Sequence, residues 1–434
     1  MSAKINIQET VRDGSIRSIN YFTGRLLTAS DLSREKLATR ESDWRLGRAL
    51  GEGVAYGLEV SIAEKGAPPT QVGEVQKTPA LHIEPGLAIN RAGQTLALRD
   101  AIDLQLVKPT VPATAGASIF GQCNPIQSGV YVAGKGVYLL TMLPAEGREG
   151  RAPATGLGNA TAPCNTDTIL EAVQFRHIHI TSFFDDGELK EPDLLRNRVA
   201  YRCFGVQEMN DFVTNPFDPS PLRYRLIDQL RDEKAISNCD VPLAIFYWTD
   251  SGGIEFVDLW AVRRRLTKRA TSQDWSPLAD DLRLTEGEAM FLQFQEQVDE
   301  LFIRNPAQAA FVAKQNFSYL PPAGIIPEMI GAGRNGFEYR TLFSGLSYRE
   351  PVFIEGARVE QLVRRAMRFT PMDLASGEMF WLYRIRENRQ SIDRGGANTP
   401  QSYLIFVSGH LPFFGEARFN VARWDYSNYS SVLD

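Results

Sequence analysis

The sequence predicts an α+β, β-rich protein, and two observations support this fold class. Short apolar runs are separated by turns that contain Gly, Pro and Asn, a pattern typical of strands. A smaller number of longer stretches repeat their apolar residues at the spacing of a helix surface. Strands therefore outnumber helices, and the helices are spread along the chain.

The length of the chain predicts more than one folding unit. A chain of 434 residues is too long for one ordinary core. A stretch rich in Pro, Ala, Gly and Ser over residues 109–128 predicts a connector. We therefore expect an N-terminal docking domain over residues 1–108, a β-rich middle domain over 109–270 and a mixed α+β domain over 271–434.

The N-terminal domain begins with an extended segment that turns at Gly24. Thr28 and Asp31 then predict a helix start, because a hydroxyl and an acid in the first turn satisfy free backbone N–H groups. The helix is expected to end at Leu50, before Gly51. Three strands are predicted next, over residues 55–62, 81–89 and 95–104, the last two joined by a turn at 90–93.

The middle and C-terminal parts repeat this mixture of strands and helices. In the middle part, strands are predicted over 130–144 and 169–181, helices over 191–204 and 221–233, and a hairpin over 241–262. In the C-terminal part, helices are predicted over 286–304 and 355–369, and strands over 379–386 and 403–407. These patterns fit either mixed α/β or β-sandwich-like domains.

Charge and hydropathy exclude several functional classes. The net charge of −5 disfavours a nucleic-acid surface, which usually needs a basic face. The arginines at 358, 364, 365 and 368 are interpreted as a solvated helix face. The first residues do not form a signal peptide, and no apolar run is long enough to span a bilayer. We expect cytoplasmic synthesis, no nucleic-acid partner and at most indirect membrane contact.

The cysteines do not follow a metal-binding pattern. Cys123, Cys164, Cys203 and Cys239 are too far apart for a C-x-x-C pair, and no His lies at ligand spacing from them. We expect buried free thiols. A Cys123–Cys164 disulfide is the alternative.

Motifs that would indicate an enzyme are missing from the sequence. No glycine-rich loop has the spacing of a nucleotide-binding motif. His177 and His179 lie two residues apart on a predicted strand, so both face the same side, but no third metal ligand is evident. We expect a non-enzymatic protein without catalytic, cofactor-binding or metal-binding residues.

A second interpretation is a carbohydrate-binding or glycoside-hydrolysing protein. Pairs of carboxylates serve glycoside hydrolysis, and aromatic rings beside acids suit sugar stacking. The C-terminal part supplies the acids Glu355, Asp373, Glu378, Glu387, Glu416 and Asp425, with the rings of Phe380, Trp381, Trp424 and Tyr426. A packed aromatic core with solvated acids explains the same residues and is favoured.

Several stretches, taken in order, resemble baseplate-associated proteins of extracellular contractile injection systems, which are phage-tail-like particles. The similar stretches cover residues 20–32 (NYFTGRLLTASDL), 54–60 (VAYGLEV), 85–90 (PGLAIN), 241–248, 260–264, 376–379 and 386–390. More distantly, the N-terminal order of turn, helix, strand and hairpin is similar to the shell domain of the type VI secretion baseplate adaptor TssK and of phage receptor-binding proteins.

This resemblance implies a structural role rather than chemistry. It implies an N-terminal shell-like β domain with a supporting helix, and a place in the baseplate or in a peripheral extension of it. The expected partners are other particle subunits and further copies of the chain, and the resemblance also allows a link between the particle and a membrane or target. The residues expected to carry docking are Tyr21, Phe22, Arg25, Leu26 and Leu27.

Overall fold

The computed structural model describes residues 15–68, 77–106, 134–149, 167–184, 191–206, 225–267, 281–304, 311–329, 336–386, 401–411 and 413. The described residues contain both helices and strands, and the strands form several sheets, so the protein is α+β and β-rich as predicted. The expected domain boundaries near 108 and 270 lie outside the described residues.

Helix α1 (Ala29–Leu50) begins and ends where the sequence predicts. The Thr28 hydroxyl accepts a hydrogen bond from the Asp31 N–H, and the Asp31 carboxylate accepts one from the Thr28 N–H. This reciprocal capping box satisfies two backbone donors that the first turn leaves free. Gly51 ends the helix with a φ of 109°, which favours glycine.

The three predicted N-terminal strands each break into two. They form β1 (Gly53–Gly57), β2 (Val60–Glu64), β3 (Ala80–Ile83), β4 (Gly86–Ile89), β5 (Thr95–Leu98) and β6 (Ile102–Gln105). One antiparallel sheet has the order β1-β4-β5, and the other has the order β2-β3-β6. The prediction of three continuous strands is therefore wrong.

The first of these breaks has a clear physical cause. Gly57 and Leu58 have φ values of 63° and 60°, so the chain turns sharply between β1 and β2. The Leu58 side chain is fully buried, and its N–H donates to the Pro85 carbonyl. Burial of the Leu58 side chain compensates for a positive φ, which residues other than glycine rarely adopt. A hydropathy pattern does not reveal such a turn.

The middle part is one antiparallel sheet between two layers. Its strands are β7 (Gly136–Glu149), β8 (Thr168–His179), β9 (Val241–Thr249) and β10 (Gly253–Asp258), in the order β10-β9-β7-β8. Alternate residues of β7 face opposite sides. Tyr138 and Leu140 pack with the N-terminal strands, whereas Val137 and Leu139 pack with helices α2 (Pro192–Phe204) and α3 (Leu226–Asp232).

The C-terminal part is built on a second mixed sheet. Its elements are α4 (Asp281–Arg304), α5 (Ala313–Asn316), β11 (Tyr319–Leu320), β12 (Ala323–Glu328), α6 (Tyr339–Leu342), β13 (Ser347–Tyr348), β14 (Val352–Phe353), α7 (Val359–Ala366), β15 (Met372–Asp373), β16 (Met379–Arg386) and β17 (Ser402–Ser408). The sheet order is β12-β17-β16-β13, and β14 also pairs with β16. Helix α4 packs through Phe294 and Val298 into the core on one face, and α7 packs through Leu362 and Val363 into the core on the other. Of the helices in the described ranges, none has the length and apolarity needed to cross a bilayer.

The cysteines correct one expectation. Cys203 is a buried free thiol, and burial raises its pKa, as expected for an inert core cysteine. Cys239 forms a disulfide, so the preferred prediction of free thiols is wrong at this position. Cys123 and Cys164 lie outside the described residues. Sequence spacing did not indicate this bond, because it depends on which loops the fold brings together.

A buried arginine joins the middle part to helix α4. The Arg196 guanidinium on α2 contacts three carboxylates: Asp258 at 3.0 Å, Glu296 at 3.1 Å and Glu300 at 2.7 Å. Asp258 is fully buried and also accepts hydrogen bonds from Gln293 and from the Ala261 N–H. Because three acids surround one arginine, removing any of these side chains should lower the stability of the folded protein.

Glu296 gives this cluster a dependence on pH. Burial raises its pKa, Arg196 lowers it, and the charges of Asp258 and Glu300 raise it further, so the pKa moves from 4.5 to about 7. The folded chain therefore keeps a proton that the unfolded chain loses above pH 4.5. This contribution to stability is complete below pH 4.5 and is lost as the pH rises through 7.

Replacing Glu296 with Gln should remove this pH dependence. Between pH 5 and pH 8, wild-type stability should fall relative to the variant by on the order of 1–2 kcal/mol, since the side chain is partly screened by solvent. Urea unfolding of both proteins at the two pH values measures the difference. Asp299→Asn, which removes an exposed carboxylate from the same helix, is the control. Parallel pH profiles for wild type and Glu296→Gln would contradict the assignment.

Candidate docking surface

Residues 15–28 form an extended arm that leads into α1. Ile19 is the one residue of the arm that is buried, and its N–H donates to the Glu35 carboxylate at 2.9 Å. This contact lays the arm against the first turns of the helix. The backbone then reverses at Gly24, where a φ of 91° favours glycine.

Arg25 holds this turn in shape. Its guanidinium donates to the Asn20 carbonyl at 2.6 Å and to Asp31 at 3.2 Å, and it lies 6.0 Å from the Phe22 ring centre. Hydrogen bonds from Thr28 and the nearby Arg25 charge lower the pKa of Asp31, so this acid is ionised at neutral pH. Arg25 thus positions the arm and connects it to the helix cap.

The other four residues predicted for docking project into solvent. Tyr21 is 53% exposed, Phe22 63%, Leu26 89% and Leu27 48%. The sequence following them adds five more exposed apolar side chains, at Leu32, Leu37, Leu46, Leu50 and Tyr56. Nine of the twelve exposed large hydrophobic residues in the described ranges therefore lie between positions 21 and 56. We call the arm and α1 together the docking surface.

The inner side of α1 is fixed to the body of the protein. Trp44 packs against Ala92 and Cys239, and the Arg48 guanidinium donates to the Ala92 carbonyl at 3.1 Å. Arg40 forms an ion pair with Glu171 of β8 at 2.7 Å. The helix is thus held by a turn, a strand and a loop, and its outer side stays free of the core.

The closest contact of α1 with the body is made by two glycines. A β-carbon at Gly47 would lie 2.1 Å from the Gly93 carbonyl oxygen, so the two backbones touch. Gly93 itself sits in the β4–β5 turn with a φ of 89°. The predicted turn at 90–93 is confirmed, and α1 packs against this turn.

Replacing Gly47 with Ala should destabilise the protein, although the same change usually stabilises an exposed helix. The added methyl group clashes with a backbone oxygen, and overpacking of this kind costs about 1–3 kcal/mol. Urea unfolding and limited proteolysis of α1 measure the effect. Ser42→Ala, at an exposed position of the same helix, is the control and should not destabilise. Equal stability of Gly47→Ala and wild type would contradict the close contact.

An ionic network lies just beyond the end of α1. Glu52 accepts a bidentate contact from Arg91 and an ion pair from Arg231 at 3.2 Å, and Arg91 also reaches Asp228. Burial raises the pKa of Glu52, but Arg231 and Arg91 outweigh it and hold the pKa at about 2. The network joins the base of the docking surface to α3 through ion pairs.

The two histidines share a face, as predicted. Their rings contact Tyr138, with centroids 5.8 Å away for His177 and 5.0 Å for His179. The His179 ring also lies 2.7 Å from the Thr181 hydroxyl. In the part of the chain that the structure describes, no three His, Cys, Asp or Glu side chains come together as a metal ion would need. The pair belongs to an aromatic cluster beside β7.

The two described rings suggested for sugar binding are buried. Phe380 is 1% exposed and Trp381 is 8% exposed, and the Trp381 indole N–H donates to the Leu411 carbonyl inside the protein. Asp373 accepts a hydrogen bond from the Ala375 N–H in the turn before β16. Glu387, Glu416, Trp424, Asp425 and Tyr426 lie outside the described residues. Neither described ring offers a surface for stacking.

Comparison with known proteins adds no relative. No protein-family model matches the chain, and no curated protein matches it either. The function is therefore argued from the geometry of the chain itself.

The sequence identified part of the docking surface and missed the rest. It singled out the arm through the resemblance of residues 20–32, which include Tyr21, Phe22, Leu26 and Leu27. It missed the exposed leucines of α1, although their spacing was a usable signal: Leu32 and Leu46 lie two heptads apart. It also missed the ionic support, because ion pairs such as Arg91–Glu52 join residues distant in sequence.

Proposed function

We propose that this chain is a structural subunit of a contractile injection particle, located in the baseplate or in a peripheral extension of it. It acts by contact with neighbouring subunits. The observation that carries the proposal is the concentration of exposed large apolar side chains on the arm and α1, where eight of the twelve in the described ranges are found. Monomeric soluble proteins rarely expose large contiguous apolar patches, and such patches mark interaction sites.

The design of this surface suits a permanent contact. Tyr, Phe and Leu supply apolar area, and aromatic residues are enriched at the centres of interfaces. The arm is basic, because residues 15–28 carry Arg17 and Arg25 and no Asp or Glu, while the whole chain has a net charge of −5. A partner with an apolar surface and acidic neighbours would complement it.

The rigid base supports the same role. A particle subunit must transmit force, and α1 is fixed by Trp44, by the Gly47–Gly93 contact and by Arg40. The arm, in contrast, is held at Ile19 and by Arg25, and its apolar side chains face outward. This arrangement presents an adaptable contact on a fixed helix.

Purification of sheathed particles tests the proposal. In cells that carry the gene, we expect the chain to co-sediment with sheath and tube and to remain attached after a high-salt wash, since the contact is mainly apolar. Deleting the gene should leave particles incomplete or unable to assemble. If the chain never co-sediments and particles form completely without it, the proposal fails.

A further inference from the structure

Two sets of exposed positions on α1 are spaced seven residues apart. One set of positions contains Ala29, Lys36, Asp43 and Leu50, and the interleaved set contains Leu32, Thr39 and Leu46. All seven side chains are exposed, with Leu32 at 58%, Leu46 at 64% and Leu50 at 60%. The buried residues of the helix, Ala38 and Gly47, lie outside this set. These positions therefore form a continuous outward seam.

Such a seam is the pattern of a helix that pairs with another helix. Two alternating positions in each heptad point at the partner, and polar residues at these positions specify register and orientation at a cost in stability. Here leucines occupy the ends of the seam, and the charged pair Lys36 and Asp43 occupies its middle. The charges decide which partner and which orientation fit.

A second copy of the chain fits in one orientation only. In a parallel pair, Lys36 would face Lys36 and Asp43 would face Asp43, which brings like charges together. In an antiparallel pair centred near residue 41, Leu32 of one copy lies opposite Leu50 of the other. Lys36 of each copy then lies in a layer adjacent to Asp43 of the other. Two equivalent contacts between opposite charges then form, one on each side of the two-fold axis.

We propose that two copies of this chain pair through the outer faces of their α1 helices, antiparallel and about a two-fold axis. The proposal extends the proposed function by naming the partner of the helix part of the docking surface. The arm residues Tyr21, Phe22, Leu26 and Leu27 stay available for other subunits. The pairing needs no particle, so its test and the test of particle membership fail separately.

Charge exchange in the full chain tests the pairing. Analytical ultracentrifugation should give a concentration-dependent dimer for the wild type. Lys36→Glu and Asp43→Lys should each raise the dimer dissociation constant by about tenfold or more, because each change places two like-charged contacts in the interface. The double variant Lys36→Glu with Asp43→Lys should restore it, since the exchange recreates both opposite-charge contacts.

Two further measurements keep the test decisive. At protein concentrations below the wild-type dimer dissociation constant, circular dichroism melting should be the same for all three variants, because both side chains are exposed and dimerisation then adds no stability. Leu50→Ser should also weaken the dimer, as it removes an end layer without changing charge. The proposal is overturned if the wild type is monomeric, if the double variant is as weak as the single ones, or if Leu50→Ser has no effect. A monomeric wild type that pellets with phosphatidylserine vesicles would assign the face to a membrane instead.

Discussion

Replacing Arg196 with Met should destabilise the protein by about 3–5 kcal/mol, the typical cost of removing one partner from a buried ion pair. Methionine preserves most of the side-chain volume, so the loss comes from charge. Asp258 would remain fully buried without its cation, keeping only the hydrogen bonds from Gln293 and the Ala261 N–H. Glu296 and Glu300 would then repel it without compensation.

Urea unfolding of the full chain at pH 8 measures this cost, since all three carboxylates repel most strongly there. Arg364→Met is the control, because its ion pair with Glu360 is 3.7 Å long and exposed on both sides. That change should cost less than about 1 kcal/mol. Adding Asp258→Asn to Arg196→Met should recover part of the loss by removing the orphaned charge. Equal effects of Arg196→Met and its control would show that the cluster is not coupled to folding.

Local rules predicted the longer helices of this fold, though not the short α5 and α6, because the signals that they use are local. Thr28, Asp31 and Gly51 defined both ends of α1 within the sequence itself, and the structure agrees at each position. Strands β9 and β16 were also predicted closely, since each is an unbroken buried run ended by a turn or a charged residue.

The N-terminal strands were harder because their breaks depend on distant contacts. Leu58 takes a positive φ while its side chain fills a core that includes Tyr138 and Phe246, far along the chain. No local pattern distinguishes this leucine from one in a continuous strand. The Arg196 cluster shares that property, because its partners Asp258, Glu296 and Glu300 are distant from it in sequence.

The candidate docking surface, like the fold, could be predicted from the sequence only in part. The resemblance of residues 20–32 led to the prediction that Tyr21, Phe22, Leu26 and Leu27 carry docking, and the structure shows that these four side chains are exposed. The role of Arg25 was not readable, because its hydrogen bonds to Asn20 and Asp31 exist only in the folded turn. The sequence therefore located the arm. The structure shows which of its residues project into solvent and that Arg25 instead holds the turn.

The double variant Phe22→Ser with Leu26→Ser should abolish association with the particle while leaving the fold intact. Burial of a Phe or Leu side chain contributes about 1.5–3 kcal/mol each, so losing both should weaken the contact by roughly 100-fold or more. Unfolding should be unchanged, because these side chains are 63% and 89% exposed in the free chain. Co-sedimentation with purified sheathed particles and urea unfolding measure the two quantities.

The matched control is Leu170→Ser, which changes an exposed leucine of β8 outside the docking surface. An equal loss for this control would show that general surface apolarity, and not the arm, drives association. Full retention of the double variant would contradict arm docking even if the wild type co-sediments.

Arg25→Ala tests whether the conformation of the arm matters in addition to its apolar side chains. This change keeps every exposed apolar side chain and removes the hydrogen bonds that hold the turn. An intermediate loss for Arg25→Ala would indicate that the partner binds the arm in its preformed conformation, since only then does ordering of the turn contribute to affinity.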